Sequence, residues 1–217
     1  MYCFCINNKF NIITFPKHGC TQIIKYISQY LNIFDSHEHS FKTNNCNKFN
    51  SIHACGSRFK SYNPNVPTYL VTRPIELKVL SYFKANHYYH KRIHENPSFV
   101  YFIDNLEVYY KNDIHHLGMI HQKLKGIKID YLLDLKNLEN NLNDLFIKYG
   151  INFKFNKEYI INSKSIMNDN TFLKKEDYSV INYNDLNFPV HNELFLNKEI
   201  VKKIKTFYKD DLQYYIS

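Results

Sequence analysis

The chain has 217 residues, enough for one domain with a sizeable core but too few for two comfortable ones, so we expect a single domain over 1–217. Its hydrophobic fraction of 44% excludes an intrinsically disordered chain. The formal net charge of +8 favours an anionic partner, namely a nucleotide, an acidic glycan or nucleic acid. Because the lysines are scattered along the chain, nucleic acid is the least favoured of the three.

The cysteines and the hydropathy pattern of the chain indicate where in the cell the protein is expected. The five cysteines are odd in number and their spacing forms no disulfide framework, which predicts reduced thiols and a cytoplasmic location. No CxxC pair is present, so apolar packing of the thiols is favoured over a zinc site that would combine Cys46, His53 and Cys55 with Cys3 or Cys5. We see no signal peptide and no apolar run long enough to span a bilayer, and we expect no membrane segment.

The segment Phe10–Leu31 changes its hydrophobic period halfway. Phe10–Phe15 is a short apolar, β-branched run that predicts a buried strand. From Gln22 onward apolar residues recur at helical spacing, so the turn Pro16–Thr21 joins a strand to a helix. Such a turn can hold a phosphate-like anion, because the first helix amides point toward it and the helix dipole adds partial positive charge.

The side chains of this turn suit an anion. Lys17 supplies a full charge, Thr21 supplies a hydroxyl donor, and Gly19 would let the backbone approach the anion closely. The alternative is an ordinary strand-to-helix connection with a solvated lysine. A Walker loop, GxxxxGK(S/T), is absent from the chain.

The second clear strand is Thr68–Arg73, and Pro74 then starts a helix that reaches about His90, with Glu76 near its positive end. Ligands of doubly wound sheets gather at the carboxyl ends of the strands. Lys17 and Arg73 are therefore predicted to face one crevice.

The rest of the chain continues the alternation of strands and helices. Short strands are predicted at Ser51–Ala54 and Ile129–Leu133, and a loop at 112–116. Helices are predicted at Phe99–Tyr110, Leu138–Tyr149 (ended by Gly150) and Lys198–Tyr215. This order predicts an α/β protein with a mostly parallel sheet flanked by helices.

The turn PKHGCTQ resembles the 5′-phosphosulfate loop of sulfotransferases, which often reads PKxGxTS or PKCGCTS. These enzymes use 3′-phosphoadenosine 5′-phosphosulfate (PAPS) as the sulfonyl donor. The chain fits at the Pro, Lys, Gly, second Cys and Thr of that loop and departs from it at His18 and Gln22. The resemblance implies that the donor-binding residues here are Lys17, His18, Gly19, Cys20, Thr21 and Gln22.

The stretch TRPIELKVLSYF resembles the 3′-phosphate motif of the same family, commonly RDPxERxxSxY. Arg73 and Ser81 keep its eight-residue spacing, whereas Pro74 sits one place early. An Arg fork binds a phosphate bidentately and a Ser hydroxyl donates to another oxygen. The resemblance implies that Arg73 and Ser81 hold the 3′-phosphate of the donor.

Three downstream segments extend the resemblance to most of residues 10–215. They are the NPSF helix with its DxH motif at Asp113–His115, the YLLDLKNLENNL segment, and the closing YKDDLQYY. The nearest branch is that of the carbohydrate-type sulfotransferases, in a compact form. It implies a P-loop-like three-layer fold, with a carbohydrate among the possible acceptors.

The implied reaction is in-line transfer of a sulfonyl group from PAPS to an acceptor hydroxyl or amine, without a metal. Lys17 would neutralise the charge that builds on the leaving 5′-phosphate oxygen. His53 and His115 are equal candidates for the general base, with Glu38 and Glu76 as lesser ones. His18, inside the loop, could touch the donor.

Three other interpretations compete. A P-loop-like phosphotransferase such as a nucleotide kinase would need a Walker Lys-Ser/Thr pair, which Lys17 followed by His18 does not supply. A non-enzymatic basic module would bind nucleic acid or nucleotide with a steep salt dependence. A donor-binding-deficient relative is the third, since Lys136 and Asn141 replace acids that are usual in the family.

Overall fold

The computed structural model of the protein describes residues 1–30, 34–35, 40–41, 62–85, 97–155 and 195–216. The chain divides into two compact units, which are described separately. The first combines Met1–Thr72 with Gly126–Ser165, and the second combines Arg73–Lys125 with Ile166–Ser217. The single-domain expectation stays a prediction, and the predicted strand Ser51–Ala54 lies outside the described residues.

The secondary structure of these residues follows the chain in this order. The strands are β1 (Tyr2–Ile6), β2 (Phe10–Thr14), β3 (Phe34–Asp35), β4 (Ser40–Phe41), β5 (Thr68–Thr72) and β6 (Tyr131–Asp134). The helices are α1 (Cys20–Tyr30), α2 (Ile75–Ala85), α3 (Phe99–Asp104), α4 (Leu106–Asn112), α5 (Ile114–Leu117), α6 (Ile120–Leu124), α7 (Leu138–Lys148) and α8 (Lys198–Phe207). Short 3₁₀ helices cover Leu135–Asn137 and Lys209–Tyr214.

The first unit is built on a four-stranded sheet in the order β1-β2-β5-β6. β2 pairs parallel with β5 and β5 parallel with β6, whereas β1 pairs antiparallel with β2. β3 and β4 form a separate antiparallel pair. The predicted α/β class with a mostly parallel, helix-flanked sheet is confirmed, and the predicted strands at Phe10–Phe15, Thr68–Arg73 and Ile129–Leu133 appear as β2, β5 and β6.

The core of the first unit lies between the sheet and helices α1 and α7. Alternate residues of the strands, such as Phe10, Ile12 and Val71, join apolar residues of the two helices in one buried cluster. Leu142 and Phe146, one turn apart on α7, contribute fully buried side chains. β2 and β5 are buried along their whole length, as continuous apolar runs of parallel strands usually are.

The second unit corrects three predictions. The predicted helix Phe99–Tyr110 is two helices, because the chain breaks at Asn105, whose side-chain amide donates to the Tyr101 carbonyl. The predicted loop 112–116 contains the start of α5, whose first turn is capped by Asp113. The predicted final helix ends at Phe207 and continues as a 3₁₀ helix.

Candidate functional site

The loop that connects β2 to α1 has an alternating backbone. Lys17 has φ 65° and Gly19 has φ +81°, while His18 between them does not share the positive φ. Alternation of left- and right-handed residues turns successive backbone N–H groups toward one side, the arrangement called a nest, which favours anions. A lysine with a positive φ is uncommon, so the surrounding structure must hold it there.

Buried hydrogen bonds hold this loop against the sheet. The Thr14 hydroxyl donates to the His18 carbonyl (3.2 Å), and the His18 amide donates to the Phe15 carbonyl (3.0 Å). The His18 ring is fully buried, packs edge-on against Phe15 and places its Nδ1 3.5 Å from the Thr72 hydroxyl. These contacts give His18 a positioning role, and its contact with a donor stays a prediction.

Helix α1 presents its N-terminus directly after the loop. Its hydrogen-bond ladder begins where the Ile23 amide donates to the Gly19 carbonyl (3.0 Å). The amides just before Ile23 are those that a helix leaves without an intrahelical partner. Cys20 is buried and Gln22 half-buried, while the Thr21 side chain lies outside the described part of the structure, so its hydroxyl contact stays a prediction.

Arg73 and Ser81 belong to the second unit: Arg73 lies two residues before α2, and Ser81 lies in the middle of that helix. The predicted helix start is confirmed, because the Pro74 carbonyl accepts the amides of Leu77 (3.1 Å) and Lys78 (3.2 Å). Burial lowers the pKa of the Arg73 guanidinium, which still stays charged because a guanidinium cannot be deprotonated in a protein. That Arg73 shares a crevice with Lys17 stays a prediction.

Glu76 has an unusual carboxylate in the first turn of α2. Its Oε2 atom is buried and has no hydrogen-bond partner among the described residues. A buried, unsatisfied carboxylate oxygen is costly and calls for an explanation. Glu76 therefore gains weight as a candidate for the general base.

The Asp113–His115 motif forms a different pair from the one its spacing suggests. Asp113 contacts His116, not His115: the His116 Nδ1 lies 2.9 and 3.0 Å from the two carboxylate oxygens. His115 is exposed as a residue, and its partly covered ring lies edge-on to the His116 ring, with the ring centres 4.6 Å apart. Partial burial, then His116 and Lys123, lower the pKa of His115 below its usual 6.5, which favours the neutral form that a general base needs.

Lys78 is a fully buried lysine on α2 that no sequence motif indicates. Its Nζ donates to the Tyr215 hydroxyl (2.9 Å) and to the carbonyls of Gly118 (3.2 Å) and Leu117 (3.4 Å). The same Nζ lies 4.8 Å from the centre of the Tyr208 ring. Burial lowers the pKa of Lys78 to about 7.

The closing segment of the chain completes this buried network. Asp211 is fully buried and accepts the amides of Ile120 and His121 as well as the His121 Nδ1 at 2.7 Å. Tyr208 donates its hydroxyl to a backbone carbonyl at 2.7 Å. Tyr208, Asp211 and Tyr215 of the segment YKDDLQYY thus have a fold-bearing role.

The remaining candidates lie outside the described residues: Glu38, Cys46, His53 and Cys55. Within the described ranges no group of three His, Cys, Asp or Glu side chains could hold a metal ion. No helix of the same ranges is long and apolar enough to cross a membrane.

Comparison with known proteins identifies no relative of this chain. No family model, curated protein or solved structure matches this chain. The resemblance to sulfotransferases thus depends on the motifs quoted above.

Proposed function

We propose that the protein is a PAPS-dependent sulfotransferase with a P-loop-like, three-layer single domain, acting on a hydroxyl or amine with a carbohydrate as the first acceptor to test. The observation that carries the proposal is the alternating loop Lys17–Gly19, which lies between the carboxyl end of β2 and the N-terminus of α1. That position and handedness suit a phosphate-like anion.

The loop fits the 5′ end of the donor. PAPS supplies the sulfonyl group; the bond between its sulfur and the bridging 5′-phosphate oxygen breaks as the acceptor's bond to sulfur forms. Lys17 neutralises the negative charge that develops on the leaving oxygen. The buried contacts of His18 hold the Lys17 backbone in place, so the positive charge needs little reorganisation during transfer.

The fit to the 3′ end of the donor depends on Arg73. A charged, half-buried guanidinium is the group best suited to a phosphate, because it offers two parallel N–H donors. Ser81, two turns further along α2, adds a hydroxyl donor. The proposal assigns the 5′ end of the donor to Lys17 and its 3′-phosphate to Arg73.

The acceptor proton needs a base, and three candidates stand. His115 is exposed and favours its neutral form, Glu76 carries the buried carboxylate oxygen without a partner among the described residues, and His53 is indicated by its place after the first long loop. The base takes the proton of the acceptor as the new bond to sulfur forms.

Calorimetric titration with adenosine 3′,5′-bisphosphate, against 5′-AMP as the control, tests the proposal. We expect tight binding that requires the 3′-phosphate, because both anion sites must be filled. Equal, weak binding of the two nucleotides would refute the donor assignment. A binding constant that falls steeply with salt and ignores the 3′-phosphate would favour the basic-module interpretation.

A further inference from the structure

Helix α8 has one strongly basic face. Ile200 and Ile204 are buried, whereas Lys198, Lys202 and Lys205 are exposed. At 3.6 residues per turn the three lysines fall within an arc of about 60°, on the side of the helix opposite the two isoleucines. We call these three residues the lysine row; along the axis its members are about 6 and 4.5 Å apart.

The lysine row differs electrostatically from its neighbour on the same helix. Lys203, further round the helix, pairs with Asp104 (2.7 Å) and Glu199 (3.4 Å). The members of the lysine row have no ion pair with another described residue. Lysines three and four residues apart repel one another, and Lys198 at the helix N-terminus opposes the helix dipole, whereas Lys205 in the last turn favours it. The row is therefore a set of like charges whose mutual repulsion a bound anion would relieve.

We propose that the lysine row binds a linear acidic glycan, a chain that carries sulfate or carboxylate groups at regular intervals. A single row of point charges along one helix fits a narrow, extended polyanion. Lysine suits this partner because its compact ammonium makes no directional demand on the anion. The inference is independent of the Lys17 loop and holds whether or not the protein binds a donor nucleotide.

Two other anionic partners fit less well. Single-stranded nucleic acid is held by stacking on aromatic rings together with arginine, and the exposed residues of α8 and of Lys209–Tyr214 include neither. An anionic membrane is bound by amphipathic helices that insert their apolar face, whereas the apolar face of α8 is already buried.

The test measures how binding of a fluorescein-labelled heparin hexasaccharide depends on NaCl between about 50 and about 200 mM, by fluorescence anisotropy. The row variant carries Lys198→Gln, Lys202→Gln and Lys205→Gln. Each charge contact contributes roughly 0.7 to the slope of log K against log salt for a single-stranded polyanion. The magnitude of this slope should therefore be smaller by about 2 in the row variant than in the wild type.

A matched variant removes the same net charge elsewhere. Lys125→Gln, Lys136→Gln and Lys154→Gln lie on exposed residues outside α8, and this variant should keep the wild-type slope. Equal losses in the two variants would mean attraction by net charge alone and would overturn the proposal. So would an unchanged slope in the row variant.

Thermal unfolding and binding of oligothymidylate provide two further tests of the proposal. At low salt heparin should raise the unfolding temperature of the wild type only, because the row variant lacks the charges that bind it. Tighter binding of oligothymidylate than of heparin, lost in the row variant, would assign the row to nucleic acid instead. If the triple variant fails to fold, Lys202→Gln alone should lower the slope by roughly 0.7, and no change there would also refute the proposal.

Discussion

Leu135 occupies the space in which a side chain at Gly19 would lie. A Cβ built on Gly19 would fall 2.2 Å from the Leu135 Cδ1 and 3.0 Å from its Cδ2. Gly19 also has φ +81°, which L-residues adopt with strain. The backbone of the loop between β2 and α1 thus favours glycine at position 19, and an added Cβ would force the side chain of Leu135, the residue that follows β6, to shift.

Gly19→Ala should destabilise the protein by about 3 kcal/mol, because a backbone penalty of about 1 kcal/mol adds to overpacking of about 2 kcal/mol. Urea denaturation measures it. Gly150→Ala is the matched control, since Gly150 also has a positive φ of +64° but no atom within 4 Å of an added Cβ. Leu135→Ala should recover part of the loss in the Gly19 variant; a purely additive double mutant would contradict the contact.

Lys17→Gly separates the charge of Lys17 from its backbone strain. Glycine accepts the observed φ of 65° without penalty, so we expect unchanged or slightly higher stability in urea. Turnover, measured as adenosine 3′,5′-bisphosphate released from PAPS with a pool of acceptors, should nevertheless fall by about 10² or more because an electrostatic stabiliser is lost. Wild-type turnover in this variant would remove Lys17 from the mechanism.

Arg73→Ala should weaken binding of adenosine 3′,5′-bisphosphate by roughly 10- to 100-fold, the effect of losing a charge-assisted hydrogen-bond pair. Binding of 5′-AMP should change little, since it lacks the 3′-phosphate. Arg73→Lys should fall between wild type and Ala, because a lysine cannot make the bidentate contact. Equal losses for the two nucleotides in calorimetry would argue against the assigned contact.

Replacing Asp113 and replacing His116 should shift the pKa of His115 in opposite directions. The Asp113 carboxylate raises the pKa of His115 and His116 lowers it. Asp113→Asn should therefore lower the pKa of His115 further, with the cap of α5 retained because Asn also caps helices. His116→Gln should raise it. NMR titration of the ring proton of His115 measures both shifts without any assay of activity, and a common direction would refute the electrostatic account.

The elements that sequence predicted well carry local signals. β2 and β5 are apolar, β-branched runs between turn residues, and α7 has helical periodicity and ends at Gly150, whose positive φ is the usual end of a helix. β1 was missed although Asn7 and Asn8, with φ 48° and 54°, form the turn to β2. An Asn-Asn pair between two apolar runs was the available hairpin signal.

The site was only partly readable because its geometry depends on distant residues. The residue types predict the turn Pro16–Thr21. No local sequence pattern predicts the positive φ of Lys17 or the contact between Gly19 and Leu135. Lys78 was unpredictable for a related reason: lysines are almost never fully buried unless paired. Its partners come from 39 to 137 residues away along the chain.

The buried Lys78 makes a prediction about stability and pH. Burial lowers its pKa to about 7 in the folded protein, whereas an unfolded lysine keeps a pKa near 10.5. Below about pH 7 both states bind the proton. Above that pH the folded state releases it while the unfolded state retains it, so the unfolded state binds more protons and stability rises with pH. From pH 7 to pH 9 the contribution of this one group is up to about 2.5 kcal/mol.

Lys78→Met should reduce the rise in the free energy of unfolding between pH 7 and pH 9. Urea denaturation at pH 7 and pH 9 gives the difference in unfolding free energy between the two pH values, for wild type and for the variant. Because this difference is taken within each protein, a pH-independent loss of stability from the missing hydrogen bond to Tyr215 cancels. The rise should shrink without vanishing, because burial also lowers the pKa of Lys84 and Lys123 to about 8. The exposed Lys111→Met should leave the rise unchanged. An equal rise in Lys78→Met and wild type would mean that Lys78 remains charged in the folded protein at both pH values.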